Sequence, residues 1–377
     1  MKKLLIASAV SAALAAPTVA LAQAARAPTL SQVLDASGIS TSGYIDTAYT
    51  YANRNLAAFS DRVFDSQNNS FALHQFGLQV AKQPSRGFGG VVNITAGADA
   101  QAIHAFPETT TGPGSMFDIT QAYGQYAAGD LTLMAGKFVT LAGSEVIWSP
   151  SNNNFSHSIL FGAIPFTHTG VRAGYAVSNT VTLYGGINNG WDQLTDANKG
   201  KTIELGASII PIKPLTINVT GYFGKERAVA PGTPAVAGAQ DQRNMLNVVA
   251  TYTINNRMSA GGEVLYVSQD GAAGGTAKYN GLAGYFTYNL NREWRVAARA
   301  EMFDDKNNFH FGPNNQPAGT DVKYNEITAT LAYLPSSSVE LRGEIRGDQA
   351  NNAVFRNSDG TTAKSLMTLA FQGLYKF

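Results

Sequence analysis

Five histidines, 26 acidic residues and no cysteine bound the chemistry open to this 377-residue chain. Without thiolates there is no disulfide framework and no cysteine-bound metal. His157 lies between Ser156 and Ser158, and His168 follows a short distance on. A serine beside a histidine could be a nucleophile and its base. Such a pair also needs a third group to orient the base and a strained, exposed nucleophile, which this spacing does not supply. His74, His104 and His310 stand alone, and no pair has the spacing of a zinc site. The stretch Gly271 to Gly275 lacks the Lys-Ser/Thr that ends a phosphate-binding loop. Catalysis is the weakest reading, and neither metal nor cofactor is expected.

A denser constellation is electrostatic. Glu340, Arg342, Glu344 and Arg346 alternate with Val339, Leu341, Gly343 and Ile345. Successive side chains of a strand point to opposite faces, so four charges share one face and apolar groups the other. Four charges in a row cannot face hydrocarbon and must line water. The same parity adds Arg172, Glu204, Glu263, Arg295, Arg299, Glu301 and Glu326. In an aqueous lumen such charges set ion preference through their local field, or they pair across strands to fix register, the commoner role. Their mixed signs predict weak selectivity.

The elements that must carry these charges are strands of one kind. At the end of the chain, Met367, Leu369, Phe371, Gly373, Tyr375 and Phe377 fall on one face, with Thr368, Ala370, Gln372 and Lys376 on the other. Lipid outside and water inside is the pattern of a closed outer-membrane barrel, the β-structure that satisfies all its backbone hydrogen bonds within hydrocarbon. Similar alternation marks residues 215–222 and 246–253. Short turns are expected at 83–86, 129–130, 178–179, 211–214, 255–256, 289–292 and 335–338, where turn-forming residues cluster. Longer polar loops are expected at 52–69, 100–115, 140–167, 189–200, 224–243, 268–276, 304–320 and 347–363. Eight loops and seven turns predict an all-β, up-and-down transmembrane barrel of about 16 strands with both ends in the periplasm. Strands at 71–81 and 131–139 alternate poorly. Tyr49, Tyr51, Tyr126, Tyr175, Tyr252, Tyr288, Trp294 and Tyr333 sit near strand ends and predict interfacial girdles.

The other end of the chain predicts export. Lys2 and Lys3, the apolar run Leu4 to Ala16 and Ala20-Leu21-Ala22 make a signal peptide over 1–22, cleaved after Ala22. A 23–38 leader follows, in which Thr29-Leu30-Ser31-Gln32 resembles a capping box and Gly38 a stop, predicting a short helix. It could rest at the periplasmic mouth, enter the pore or simply lead to the first strand. Residues 39–377 form the barrel. Apolar residues make up 44% of the chain, and its net charge is +1, or -1 without Lys2 and Lys3. That balance gives no reason to expect nucleic acid.

About 16 strands leave an aqueous channel, whereas about eight would be filled by their own side chains. The third loop carries Trp148, Phe155, Ile159, Leu160, Phe161, Ile164 and Phe166, too apolar for an exposed segment. Folding into the pore would bury them; so would capping the rim or meeting a second subunit. Glu145 is its one acidic residue, so an acidic loop facing a basic wall is poorly supported.

Four stretches in the middle of the chain stand out: Ile119-Thr120-Gln121-Ala122-Tyr123, residues 135–140 (AGKFVT), residues 164–170 (IPFTHTG) and Asn188-Asn189-Gly190-Trp191-Asp192. Through them the chain resembles the putative β-barrel porin-2 family, described as OmpL-like. Residues 37–39 and 43–46 and the closing aromatic are similar too. The sequence departs at Leu141-Ala142-Gly143, where a proline is expected. The resemblance implies an outer-membrane porin-type barrel with largely unassigned solutes, and a structural or gating role for Phe166, His168 and Trp191.

The expectation is therefore a passive diffusion channel in a Gram-negative outer membrane, passing small hydrophilic solutes or ions and narrowed by 140–167. Its pore-lining or constriction residues would be Glu145, His157, His168, Arg172, Arg295, Arg299, Glu301, Glu340, Arg342, Glu344 and Arg346. Tyr375 and Phe377 would be the assembly signal, outer-membrane lipid the surroundings, and a homotrimer a possible state. The alternatives are a plugged structural or adhesive barrel and, less favoured, a barrel enzyme.

Overall fold

The computed structural model describes residues 29–56, 61–65, 68–107, 113–196, 198–226, 241–272, 275–312, 316–317 and 319–377. The expected signal peptide and its cleavage site lie outside these residues. The chain divides into two units, Met1–Ser37 and Gly38–Phe377.

In the first unit, α1 (Leu30–Ser37) forms where the capping box predicts it. The Gln32 N–H donates to Thr29 Oγ1 at 3.3 Å and the Thr29 N–H to Gln32 Oε1 at 2.9 Å, reciprocally satisfying two donors at the helix start. Gly38 follows at φ +65°, the left-handed conformation that ends a helix most cheaply in glycine.

From Gly38 onward the strands follow in order. They are β1 (Ser40–Ala52), β2 (Ser70–Lys82), β3 (Arg86–Ala96), β4 (Phe117–Ala128), β5 (Leu131–Val139), β6 (Thr167–Ser178), β7 (Val181–Asn188) and β8 (Thr202–Ile212). Next come β9 (Leu215–Glu226), β10 (Asp241–Thr253), β11 (Met258–Ala272), β12 (Gly275–Asn289), β13 (Trp294–Asp305), β14 (Val322–Tyr333) and β15 (Val339–Ala350). A small pair in the last loop, β16 (Phe355–Arg356) and β17 (Thr362–Ala363), precedes β18 (Ser365–Lys376). Without that pair, sixteen strands close one antiparallel barrel in which each strand pairs with its neighbour in sequence and β18 returns to β1. No edge is left unpaired. At the seam the Gly43 N–H donates to the Phe377 carbonyl at 2.8 Å, and the Phe377 N–H to the Gly43 carbonyl at 2.9 Å. The Phe377 ring occupies the space a side chain at position 43 would need, 2.5 Å from an ideal Cβ.

All seven predicted turns connect strands. The loop expected at 268–276 is instead mostly strand, since β11 runs to Ala272 and Ser268 and Gln269 pair with Lys278 and Ala277. Backbone pairing there outweighs a Gly/Ala-rich composition. Poor alternation has local causes elsewhere. In β2 the register shifts so that His74 and Gln75 are both buried, and in β5 Gly136 takes φ +135° ahead of buried Lys137 and Phe138.

Outward positions are apolar and exposed, as at Phe371 and Ile327, two-thirds exposed, while inward positions are buried. Rim aromatics pair: Trp294 with Tyr333 at 4.8 Å, Tyr126 with Phe88 at 4.9 Å, and Tyr49 with Phe71 at 4.9 Å. Among the described residues no helix is long and apolar enough to cross a membrane.

Candidate functional site

Loop 3, residues 140–166, enters the barrel and is bound by the wall through its backbone. A short helix, α2 (Ala100–Ile103), sits in the second loop, and α3 (Ile159–Gly162) forms within loop 3. A helix start leaves N–H groups without partners. Here Glu301 of β13 accepts from the Ile159 and Leu160 N–H groups at 2.7 and 3.2 Å, and the Ser158 hydroxyl accepts from Phe161 at 2.9 Å. Glu344 of β15 accepts from the Phe155 and Ser156 N–H groups at 2.7 and 2.9 Å.

The wall arginines serve the carbonyls. Arg342 donates to Asn152 and Asn154 at 2.7 and 3.1 Å, Arg299 to Ser156 at 2.6 Å, and Arg346 to His157 at 2.6 Å. A buried carbonyl or N–H left unpaired costs about 1–3 kcal/mol, so an irregular loop inside a barrel needs such partners at nearly every residue. These charged side chains are buried on the inner face of the wall. Their use as a cradle for loop backbone, in addition to pairing with one another, was not legible.

The charges also satisfy each other. Arg299 meets Glu145 at 2.7 Å and Glu326 at 3.1 Å, Arg342 meets Glu340 at 2.7 Å, Arg346 meets Asp348 at 2.7 Å, and Arg295 bonds Glu340. Arg172 of β6 reaches over β7 to Glu204 of β8 at 2.7 Å. Burial favours the neutral form of Glu145, but Arg299 and the Ser158 N–H more than offset it and hold this carboxyl below the ordinary range.

Farther round the wall, on β9–β11, the Leu141 N–H donates to Tyr222 Oη at 3.0 Å, Gly143 to Asn247 at 2.9 Å and Ser144 to Glu263 at 3.1 Å. Gly143, within the departure from the family pattern, takes φ +94° there. Tyr279 Oη donates to the Ala163 carbonyl at 3.1 Å, and Trp148 lies edge-on to Tyr44 at 4.5 Å. Ile159, Leu160 and Ile164 are buried, which explains the loop's apolar content.

The two histidines of the catalytic alternative are not brought together as a working pair. His157 bonds the Val146 carbonyl at 3.0 Å and packs against Phe64 and Phe161, and burial lowers its basicity. His168 faces inward from β6, bonds the Gly190 carbonyl at 3.1 Å and lies on Tyr222 at 4.4 Å. The bonded nitrogen of each ring meets a backbone carbonyl, with the Asn152 amide also on His157, rather than a serine hydroxyl. Among the described residues no three His, Asp or Glu side chains are grouped to hold a metal.

Sequence reasoning missed several participants. Asp192 accepts the Phe166 and Thr167 N–H groups, each at 2.9 Å, pinning the end of loop 3, and burial pushes its carboxyl up to about 6. Asp192 stood with Trp191 in a motif already singled out, but only Trp191 was given a role there. The described part of loop 1 also enters: Arg62 donates to Asp65, Asp348 and Thr368, and Phe64 packs on loop 3. Nothing in the spacing of loop 1 announces this.

Two cavities flank loop 3. One of about 190 Å³ lies toward β10–β13 and is lined by Ser151, Asn153, Thr251, Ser259, Tyr285 and Thr287. The other, about 220 Å³, lies toward β2–β5 and is lined by Gln79, Asn93, Thr120, Gln121, Trp148 and Phe166.

The family model described as putative beta-barrel porin-2, OmpL-like, matches residues 38–377. No curated protein matches the chain by sequence. Among solved structures it resembles OmpT, an outer membrane protein of Vibrio cholerae, as a loop L8 deletion mutant, with TM-score 0.60, 12% identity, and 90% of this chain and 99% of that one covered. The trimer form of the same protein gives TM-score 0.58 and 11% identity, over 90% and 99% of the two chains. An anion-selective porin from Comamonas acidovorans gives TM-score 0.58 and 12% identity, also over 90% and 99%. At these identities the likeness is one of fold.

Proposed function

We propose, from the premise that this chain belongs to the putative beta-barrel porin-2, OmpL-like family, that it is an outer-membrane porin whose passive diffusion path is narrowed by loop 3. The carrying observation is the binding of loop 3 backbone by wall charges from Asn152 to Leu160. A loop held that way narrows the lumen, and cavities remain on both sides of it. Deleting residues 144–160 should raise single-channel conductance in planar bilayers. An unchanged conductance would mean that the loop does not limit flow.

Glu145, His157, His168, Arg172, Arg295, Arg299, Glu301, Glu340, Arg342, Glu344 and Arg346 form or support the constriction in this reading, mostly by holding loop 3 and the wall rather than by contacting the solute. No catalytic role is assigned, and changing His157 and His168 should leave no activity to lose. Export by the leader cleaved after Ala22, with Tyr375 and Phe377 as the assembly signal, completes the reading. A homotrimer fits the trimer form of Vibrio cholerae OmpT. Unheated electrophoresis of the native protein distinguishes trimer from monomer.

A further inference from the structure

We infer that the cavity between loop 3 and β10–β13 is a subsite for small uncharged, hydroxyl- or amide-bearing solutes, of the size of a pentose or hexose, in preference to ions of that size. This rests on the porin reading and specifies its solute. The charged groups around the cavity are already engaged. Glu145 receives Arg299 on one oxygen and the Ser158 N–H on the other. Glu263 receives Asn247 on one and the Ser144 N–H and Tyr285 hydroxyl on the other. On the same wall toward the turns, Arg295 is committed to Glu340.

What remains on the lining is neutral. The side chains of Ser151, Asn153, Thr251, Ser259 and Thr287 have no hydrogen-bond partner among the described residues, and Tyr285 adds a ring face. A volume of about 190 Å³ corresponds to roughly six waters at about 30 Å³ each. An ion entering this space sheds hydration and meets no free countercharge. A sugar or polyol exchanges water for serine, threonine and asparagine partners at near parity, favourable enough to enter and weak enough to leave. The cavity toward β2–β5 is more apolar, with the amides of Gln79, Asn93 and Gln121 sharing its lining with Ile147, Trp148, Phe161 and Phe166.

The test is swelling of liposomes carrying the native protein, with arabinose and mannitol compared against gluconate and N-methylglucammonium, and potassium chloride conductance recorded in parallel. The uncharged solutes should enter about tenfold faster than either ion. Asn153→Asp combined with T287D should reduce that preference several-fold while potassium chloride still passes. Conducting channels that admit gluconate or N-methylglucammonium as fast as arabinose overturn the solute assignment and leave the porin standing. So does a double variant with unchanged sugar flux. A folded barrel that neither conducts nor swells overturns both.

Discussion

Loops 1 and 3 both turn into the barrel, and they are held in opposite ways. Loop 3 meets wall charges at the backbone of Ser144, Asn152 and most residues from Asn154 to Leu160, and its carboxylate Glu145 is fully partnered. The described part of loop 1 is seated through Arg62 and the Phe64 ring, and it carries Asp61, which is buried with neither carboxylate oxygen hydrogen-bonded. Burial, then the nearby Asp348, pushes the Asp61 carboxyl up to about 7 despite Arg346 and Arg62. Entry into a lumen is thus not one physical state. One loop is locked by satisfied charge, and the other is seated at the expense of an unpartnered acid.

Removing the central cation should break the contrast most severely. Arg299→Met leaves Glu145, Glu301 and Glu326 facing one another, and loss of one partner from a buried ion-pair network costs about 3–5 kcal/mol. Loop 3 should become cleavable by protease and the heat-modifiable folded band should disappear at a lower temperature; a wild-type profile would show that the network is dispensable.

pH should separate the two loops by sign. The raised Asp61 value stabilises the seated loop 1 fully below the ordinary aspartate value of about 3.9 and loses that contribution as pH rises through about 7. The lowered Glu145 value works the other way, stabilising loop 3 above about 4.3 and failing only in stronger acid. Protease cleavage in residues 53–69 should therefore grow between pH 6 and pH 8 and become flat in Asp61→Asn, while loop 3 stays protected over that range. Equal responses of the two loops would remove the distinction.

Smaller effects belong to the shell around both loops. Deleting Phe377 removes the Gly43 pairing at the seam and should lower folded yield in the membrane several-fold, with conductance of the surviving channels unchanged. Trp294→Ala removes a rim pair with Tyr333 worth about 0.5–1.5 kcal/mol, detectable as a modest loss of thermal stability with both loops still seated.

The barrel was legible because its cause is local. Period-2 alternation, turn residues and the charges on one face of β15 each follow from how a strand presents side chains to lipid and water. Parity therefore located Arg299, Glu301, Glu344 and Arg346 on the inner face from sequence alone, and the capping box located α1. Where the alternation lapsed, at His74-Gln75 and near Gly136, the strands could be counted only to within a pair, because a bulge or an unusual φ has no periodic signature. The Gly/Ala stretch 268–276 reads as loop from composition, but Ser268 and Gln269 pair with Lys278 and Ala277, and backbone pairing decides.

The partners of those charges were beyond any local signal. Arg342 and Asn152, or Glu301 and Ile159, lie far apart in the chain and meet only after the barrel has closed and loop 3 has crossed its interior. The sequence determined which residues face the lumen and that loop 3 had to hide its apolar groups. Tertiary structure decided that the ladder of charges grips loop backbone, because an irregular segment buried in a barrel can satisfy its amides and carbonyls only with what the wall supplies.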